Sequence, residues 1–151
     1  MRLAFYRSDC PSATLLDRAI GVASYYSHVE GVFSDGMCFS ASPRDGGTRF
    51  KEVDLNPANW EVVDLPLTPE VEGKLRLKCA NMPHRKYAYV GALLSVTPVC
   101  LPICPSRTFC SKLWTELLID AGFPLNDPCR YSPKELFDII VSKKGIECRI
   151  E

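Results

Sequence analysis

Along the 151-residue chain, apolar positions alternate with polar ones in short runs, then shift to helical spacing. "RLAFYR" (2–7) predicts a first strand. In "TLLDRAIGVAS" (14–24), Leu15, Leu16, Ile20 and Val22 lie near helical spacing, which predicts a helix with Ser12 or Thr14 near its start. "HVEGVF" (28–33) and "MCFSAS" (37–42) both alternate, and Asp35-Gly36 between them signals a hairpin. A second turn, "RDGG", leads to "TRFKEVDL" (48–55) as the third strand of a meander, and "WEVVDLP" (60–66) is a further strand.

The second half reads mainly as helix. "TPEVEGKLRLKCAN" (68–81) opens with Thr68 as cap and Pro69 in the first turn. "MPHRKYAYVGALLSV" (82–96) is expected to hold a helix from about Tyr87. "PSRTFCSKLWTELLIDAGFP" (105–124) carries the clearest stripe, Leu113, Leu117, Leu118 and Ala121, with Gly122 and Pro124 as stop signals. Ser106 or Thr108 can cap it, which puts Cys110 in its first turn. "YSPKELFDIIVSK" (131–143) has Ser132 as cap, Pro133 at the first position and Glu135 as capping-box acid. "GIECRIE" (145–151) alternates and is expected to return as a strand. The fold class is α+β, an antiparallel sheet packed against helices in one domain spanning 1–151.

Composition narrows the function. Eighteen basic residues balance eighteen acidic ones, so charge favours neither nucleic acid nor an anionic membrane. "MRLAFYRSDC" lacks the basic start and apolar run of a secretory signal, so a cytoplasmic or otherwise reducing location is expected, and the eight cysteines are expected to be thiols. Cys100, Cys104 and Cys110, with His84 as a fourth ligand, are too loosely spaced for a structural zinc site, so no metal or cofactor is expected. The apolar run 89–104 is shorter than the roughly 20 residues that span a bilayer. A buried helix running into a loop is expected there, with no integral membrane segment.

Cys110 is the one cysteine at the start of a strong amphipathic helix. Unpaired N–H groups and the helix dipole favour a thiolate there and can also stabilise an oxyanion. Such a nucleophile needs a base, and the chain has two histidines, His28 and His84. His28 is favoured because a strand holds it, whereas His84 follows Pro83 in a polar loop. Glu30 shares a strand face with His28. With a hairpin centred on Asp35, Ser40 and Ser42 cross from that face too. Glu30, Ser40 and Ser42 are thus each able to orient the imidazole. The bland alternative is a structural strand histidine and a small buried thiol.

"YSHVEGVFSDGMCFSAS", "RTFCSKLWTELLIDAGF" and "YSPKELFDII" together resemble the circularly permuted branch of the NlpC-type papain-like superfamily, which includes YiiX-like proteins and the lecithin–retinol acyltransferase group. In that branch the histidine strand precedes the nucleophile helix, as His28 precedes Cys110. The resemblance covers about residues 12 to 140. It implies a permuted papain-like fold, with Cys110 as nucleophile and His28 as base. A tyrosine upstream of the nucleophile lies near the oxyanion site in such proteins, which points to Tyr87 ahead of Tyr89. The family's third polar position falls on Ser40, a weak orienter, and leaves the role open between Ser40 and Glu30. The expected function is hydrolysis of an amide (peptide-like, including cell-wall γ-glutamyl links) or ester through a thioester, with Cys110, His28 and Glu30 as the catalytic set. Transfer of acyl chains between lipids, or a catalytically idle binding module of the same fold, are the alternatives.

Overall fold

A computed structural model describes residues 1–22, 24–97, 105–128 and 131–142. Among them, strands β1 (Arg2–Arg7), β2 (Tyr26–Val32), β3 (Cys38–Ser42), β4 (Gly47–Lys51), β5 (Trp60–Asp64), β6 (Lys86–Tyr87) and β7 (Arg107–Thr108) form one sheet, ordered β5-β1-β2-β3-β4-β6-β7. Every neighbouring pair is antiparallel except β6 with β7. The helices are α1 (Leu15–Gly21), α2 (Pro69–Asn81), α3 (Tyr89–Leu94), α4 (Cys110–Asp120) and α5 (Pro133–Ser142). The class is α+β, with a mostly antiparallel open sheet carrying the helices.

Strand alternation divides the buried side chains into two sets. On one face Leu3, Phe5, Val29 and Phe39 meet Leu113, Trp114 and Leu117 of α4 and Leu136 of α5 in the main core. On the other face Ala4, Tyr6, Val32, Cys38 and Trp60 form a smaller core with Cys10. His28 faces this second side, because it pairs with Tyr6 in register, as Glu30 pairs with Ala4.

α4 is seated on β2 through a glycine. A methyl group at Gly31 would fall 1.7 Å from Trp114 Cζ2, so only a residue without Cβ lets the indole reach the strand. The Trp114 Nε1–H donates to the Phe39 carbonyl at 2.9 Å and fixes the ring across the hairpin. The hairpin itself turns at Asp35-Gly36, with Gly36 at φ +85°, a conformation that favours glycine. Its register, Gly31 opposite Phe39 and Val32 opposite Cys38, is centred on Asp35 as expected.

Several elements depart from the sequence pattern. α1 starts after Thr14, whose side chain forms a reciprocal capping box with Asp17, and stops at Gly21. Only Ile20 of that helix is fully buried; Leu15 and Val22 are 87% and 90% exposed, because a seven-residue helix turns one narrow side inward. The third meander strand ends at Lys51, and Val53 and Leu55 fold back against the smaller core. Tyr87 lies in β6, and the following helix begins at Tyr89. That helix is not the buried one expected: Val90 is 65% exposed and Ala92 is its buried contact. α4 is preceded by Phe109 with no side-chain cap, and Thr108 is spent in β7, so neither Ser106 nor Thr108 caps it. Ser132 and Glu135 do form the expected capping pair. The expected strand 145–151, Cys100 and Cys104 lie outside the described residues.

Among the described residues no helix is long and apolar enough to cross a membrane. Cys10, Cys38, Cys79 and Cys110 are free thiols, all buried.

Candidate functional site: a histidine between a thiol and a carboxylate

β7 delivers the chain directly into α4, and Cys110 is the first residue of that helix. Its backbone N–H and those after it in the first turn receive no side-chain cap, so the helix terminus keeps its donors and its partial positive charge. Cys110 is 2% exposed and belongs to the helix-side core. His28 belongs by register to the opposite face. The β2–β3 pairing runs only through Gly31–Phe39 and Val32–Cys38 and stops short of His28. There the Ser40 hydroxyl, rather than a backbone group, donates to the Val29 carbonyl at 2.6 Å.

The Cys110 thiol lies near enough to the His28 ring to act on its protonation. On its other side the ring places Nε2 2.7 Å from Glu30 Oε1. With Nε2 on the carboxylate, Nδ1 is the nitrogen left for the thiol. Burial by itself draws the imidazole pKa down. The charge and hydrogen bond of Cys110, followed by those of Glu30, outweigh burial and raise it to about 10. Glu30 shows the mirror effect. Burial pushes its carboxyl up, but hydrogen bonds from His28 and Arg49 hold it below the usual carboxylate range.

Arg49 was not foreseen. Its Nη1–H donates to Glu30 Oε2 at 2.8 Å and its Nη2–H to Oε1 at 2.6 Å, a two-pronged contact to a carboxylate that is 1% exposed. A signal for it existed: the turns "SDG" and "RDGG" set registers that place Glu30, Ser40 and Arg49 in one row across three strands. Ser40 sits in that row, but its hydroxyl is committed to Val29 and Glu30 takes the ring, so Ser40 is not the orienter. Ser42 Oγ accepts the backbone N–H of Arg44 at 3.2 Å. Tyr87 is 3% exposed, and burial first, then electrostatic coupling to Cys110 and to Asp17, holds its phenol pKa well above the usual range. His84 Nδ1 lies 3.0 Å from the Thr48 carbonyl, away from the thiol.

A cleft of about 240 Å³ opens on the His28 and Glu30 side of this constellation, and Cys110 is not among its lining residues. His28, Glu30 and Tyr87 line it, together with Tyr6 and Trp60 from the small core and Leu16, Asp17 and Ile20 of α1. The Trp60 ring stands edge-on to the imidazole, centroids 6.3 Å apart. Asp17, at the wall, accepts from Ser27 at 3.0 Å and from Arg44 at 3.2 Å. Arg44, Asp45, Arg49, Lys51, Glu52 and Asp54 line it as well, so the ring faces meet a strongly charged wall.

No family model, curated protein or solved structure matches the chain. The resemblance to NlpC-type proteins therefore rests on the chain's own motifs.

Proposed function

We propose that this protein is a thiol hydrolase of permuted papain-like (NlpC-type) architecture that cleaves an amide or ester through a thioester on Cys110. The observation that carries the proposal is the position of His28, between the thiol of an uncapped helix terminus and a buried carboxylate. An imidazolium beside sulfur favours the thiolate, which is the nucleophilic form. Cys110 Sγ bonds to the carbonyl carbon, and the carbonyl oxygen takes the electron pair as an oxyanion. The Cys110 N–H and the protonated Tyr87 hydroxyl are the donors available to it. His28 Nδ1–H then protonates the departing amine or alcohol as its bond to carbon breaks. Neutral His28 next removes a proton from water, whose oxygen attacks the thioester and releases the acid and the thiol. Glu30 keeps the ring oriented throughout.

The cleft is smaller than the roughly 300–1,000 Å³ of common ligand sites, which suits the group next to a scissile carbonyl better than a long polymer segment. A peptide-like amide is the substrate class preferred. Lipid esters are a second reading, favoured by the exposed Leu15 and Val22 on and just after α1 and Tyr89, Val90 and Leu93 on α3, two helices in contact with each other. Purified protein incubated separately with γ-glutamyl peptides, simple aryl esters and phospholipid vesicles distinguishes them. Slow release of acid that disappears in Cys110→Ala supports hydrolysis. Acyl movement between lipids without free acid replaces it with transfer. Absence of turnover on every class, with an unreactive Cys110, leaves a binding module.

A further inference from the structure

Resting on the thiol reading above, we infer that Arg49 is a positioning residue for the reaction: it holds Glu30 anionic and stationary, so that His28 keeps Nε2 on the carboxylate and Nδ1 on Cys110. Glu30 Oε1 accepts from both the Arg49 Nη2–H and the His28 ring, at 2.6 and 2.7 Å. The second prong, to Oε2 at 2.8 Å, stops the carboxylate from rotating. Arg49 is itself held, because its Nε–H donates to Asp45 at 2.8 Å and Asp45 is braced by Lys51 at 2.9 Å. A relay of charges thus runs from the β3–β4 turn to the imidazole.

The groups facing Glu30 and His28 show why the guanidinium matters. β1 presents Tyr6, β3 presents Cys38, β6 presents Tyr87 and α4 presents Cys110. Each of these is neutral or acquires negative charge on losing its proton. Further out along the cleft wall Asp17 of α1 is paired with Arg44, and Lys51 stands with Asp45, Glu52 and Asp54. Arg49 is the permanent cation in contact with the carboxylate. Without it, burial drives Glu30 toward its neutral acid, which offers His28 a donor in place of an acceptor and removes the reason for the ring's orientation.

The test needs no substrate. Iodoacetamide alkylation of Cys110 is followed by peptide mass spectrometry from about pH 4 to about pH 8, in the wild type, Arg49→Gln, Arg49→Lys, Glu30→Gln and the Glu30→Gln/Arg49→Gln double variant. Arg49→Gln is expected to move the low-pH limb of the rate upward by about one unit, roughly a tenfold loss at a pH on that limb. Arg49→Lys keeps the charge without the fork and moves the limb less, in the same direction. In the Glu30→Gln background, Arg49→Gln adds nothing. A folded Arg49→Gln with an unmoved limb overturns the inference, as does a shift that persists without Glu30. If Arg49→Gln does not fold, an unmoved limb in Arg49→Lys overturns it. Equal labelling of all wild-type cysteines overturns the thiol reading itself, an outcome distinct from these.

Discussion

Adding one methyl group at Gly31 tests whether the seat of α4 on the sheet controls the thiol–imidazole contact. In Gly31→Ala the new carbon would lie 1.7, 2.1 and 2.5 Å from three carbons of the Trp114 indole, so the ring must leave its place. Trp114 is fully buried among Phe33, Phe39 and the α4 leucines. Overpacking of a filled core costs about 1–3 kcal/mol. Moving the indole also breaks its bond to the Phe39 carbonyl and strands a buried polar group, about 1–3 kcal/mol more. The sum is about 2–6 kcal/mol, or a melting temperature lower by roughly 4–24 °C at the ~2–4 °C per kcal/mol of a chain this size. Because Trp114 lies one turn beyond Cys110, the displaced helix should also carry the thiol away from His28. Urea unfolding followed by Trp fluorescence reads the stability, and the iodoacetamide rate at Cys110 reads the contact. A Gly31→Ala protein within about 1 kcal/mol of wild type, with an unchanged alkylation rate, would refute the packing argument. A smaller indole substitute provides the control: Gly31→Ala should cost less in a Trp114→Leu background than alone, since the clash is then absent.

Four further outcomes follow. At pH 6.5, iodoacetamide should label Cys110 ahead of Cys10, Cys38 and Cys79; burial raises the Cys38 thiol to about 11 and that of Cys79 to about 12. His28→Ala, still folded, should slow Cys110 labelling by about tenfold or more, and unchanged kinetics would remove the imidazole from the chemistry. Ser40→Ala should lower stability by about 1–3 kcal/mol, through the orphaned Val29 carbonyl, while leaving the Cys110 labelling profile in place; a moved profile would restore Ser40 as an orienter. Stability should also fall on acidification. Glu30, Glu72 and Asp45 have folded pKa values below those of free carboxylates, Asp45 at about 2, so their contribution is present above the unfolded pKa near 4 and is lost as pH falls through the folded values. His28 works in the other sense: its contribution is full below about 6.5 and is lost as pH rises through about 10. Thermal melts across pH should therefore decline at both ends, and Glu30→Gln should flatten the acid side.

Local signals in the chain determined a good deal. The Asp35-Gly36 turn, the Thr14, Thr68 and Ser132 caps, and the leucine stripe of α4 depend on residues a few positions apart, and each is found where its spacing placed it. Strand alternation likewise put His28 and Glu30 on one face, and helix periodicity put Cys110 at a terminus. Tertiary structure alone decided which polar neighbour takes the ring. Glu30 and Ser40 are equivalent by alternation, but the interrupted β2–β3 ladder commits the Ser40 hydroxyl to Val29, and Arg49, from a third strand, supplies the charge that makes a buried Glu30 tolerable. The same holds for burial. Leu15 and Val22 look like core residues by period, yet nothing among the described residues covers them, whereas Glu30, polar by type, is 1% exposed. Periodicity dictates the direction in which a side chain leaves its own element. What it meets there depends on how elements distant in sequence are packed, and hydrogen bonding and desolvation are settled only by that second arrangement.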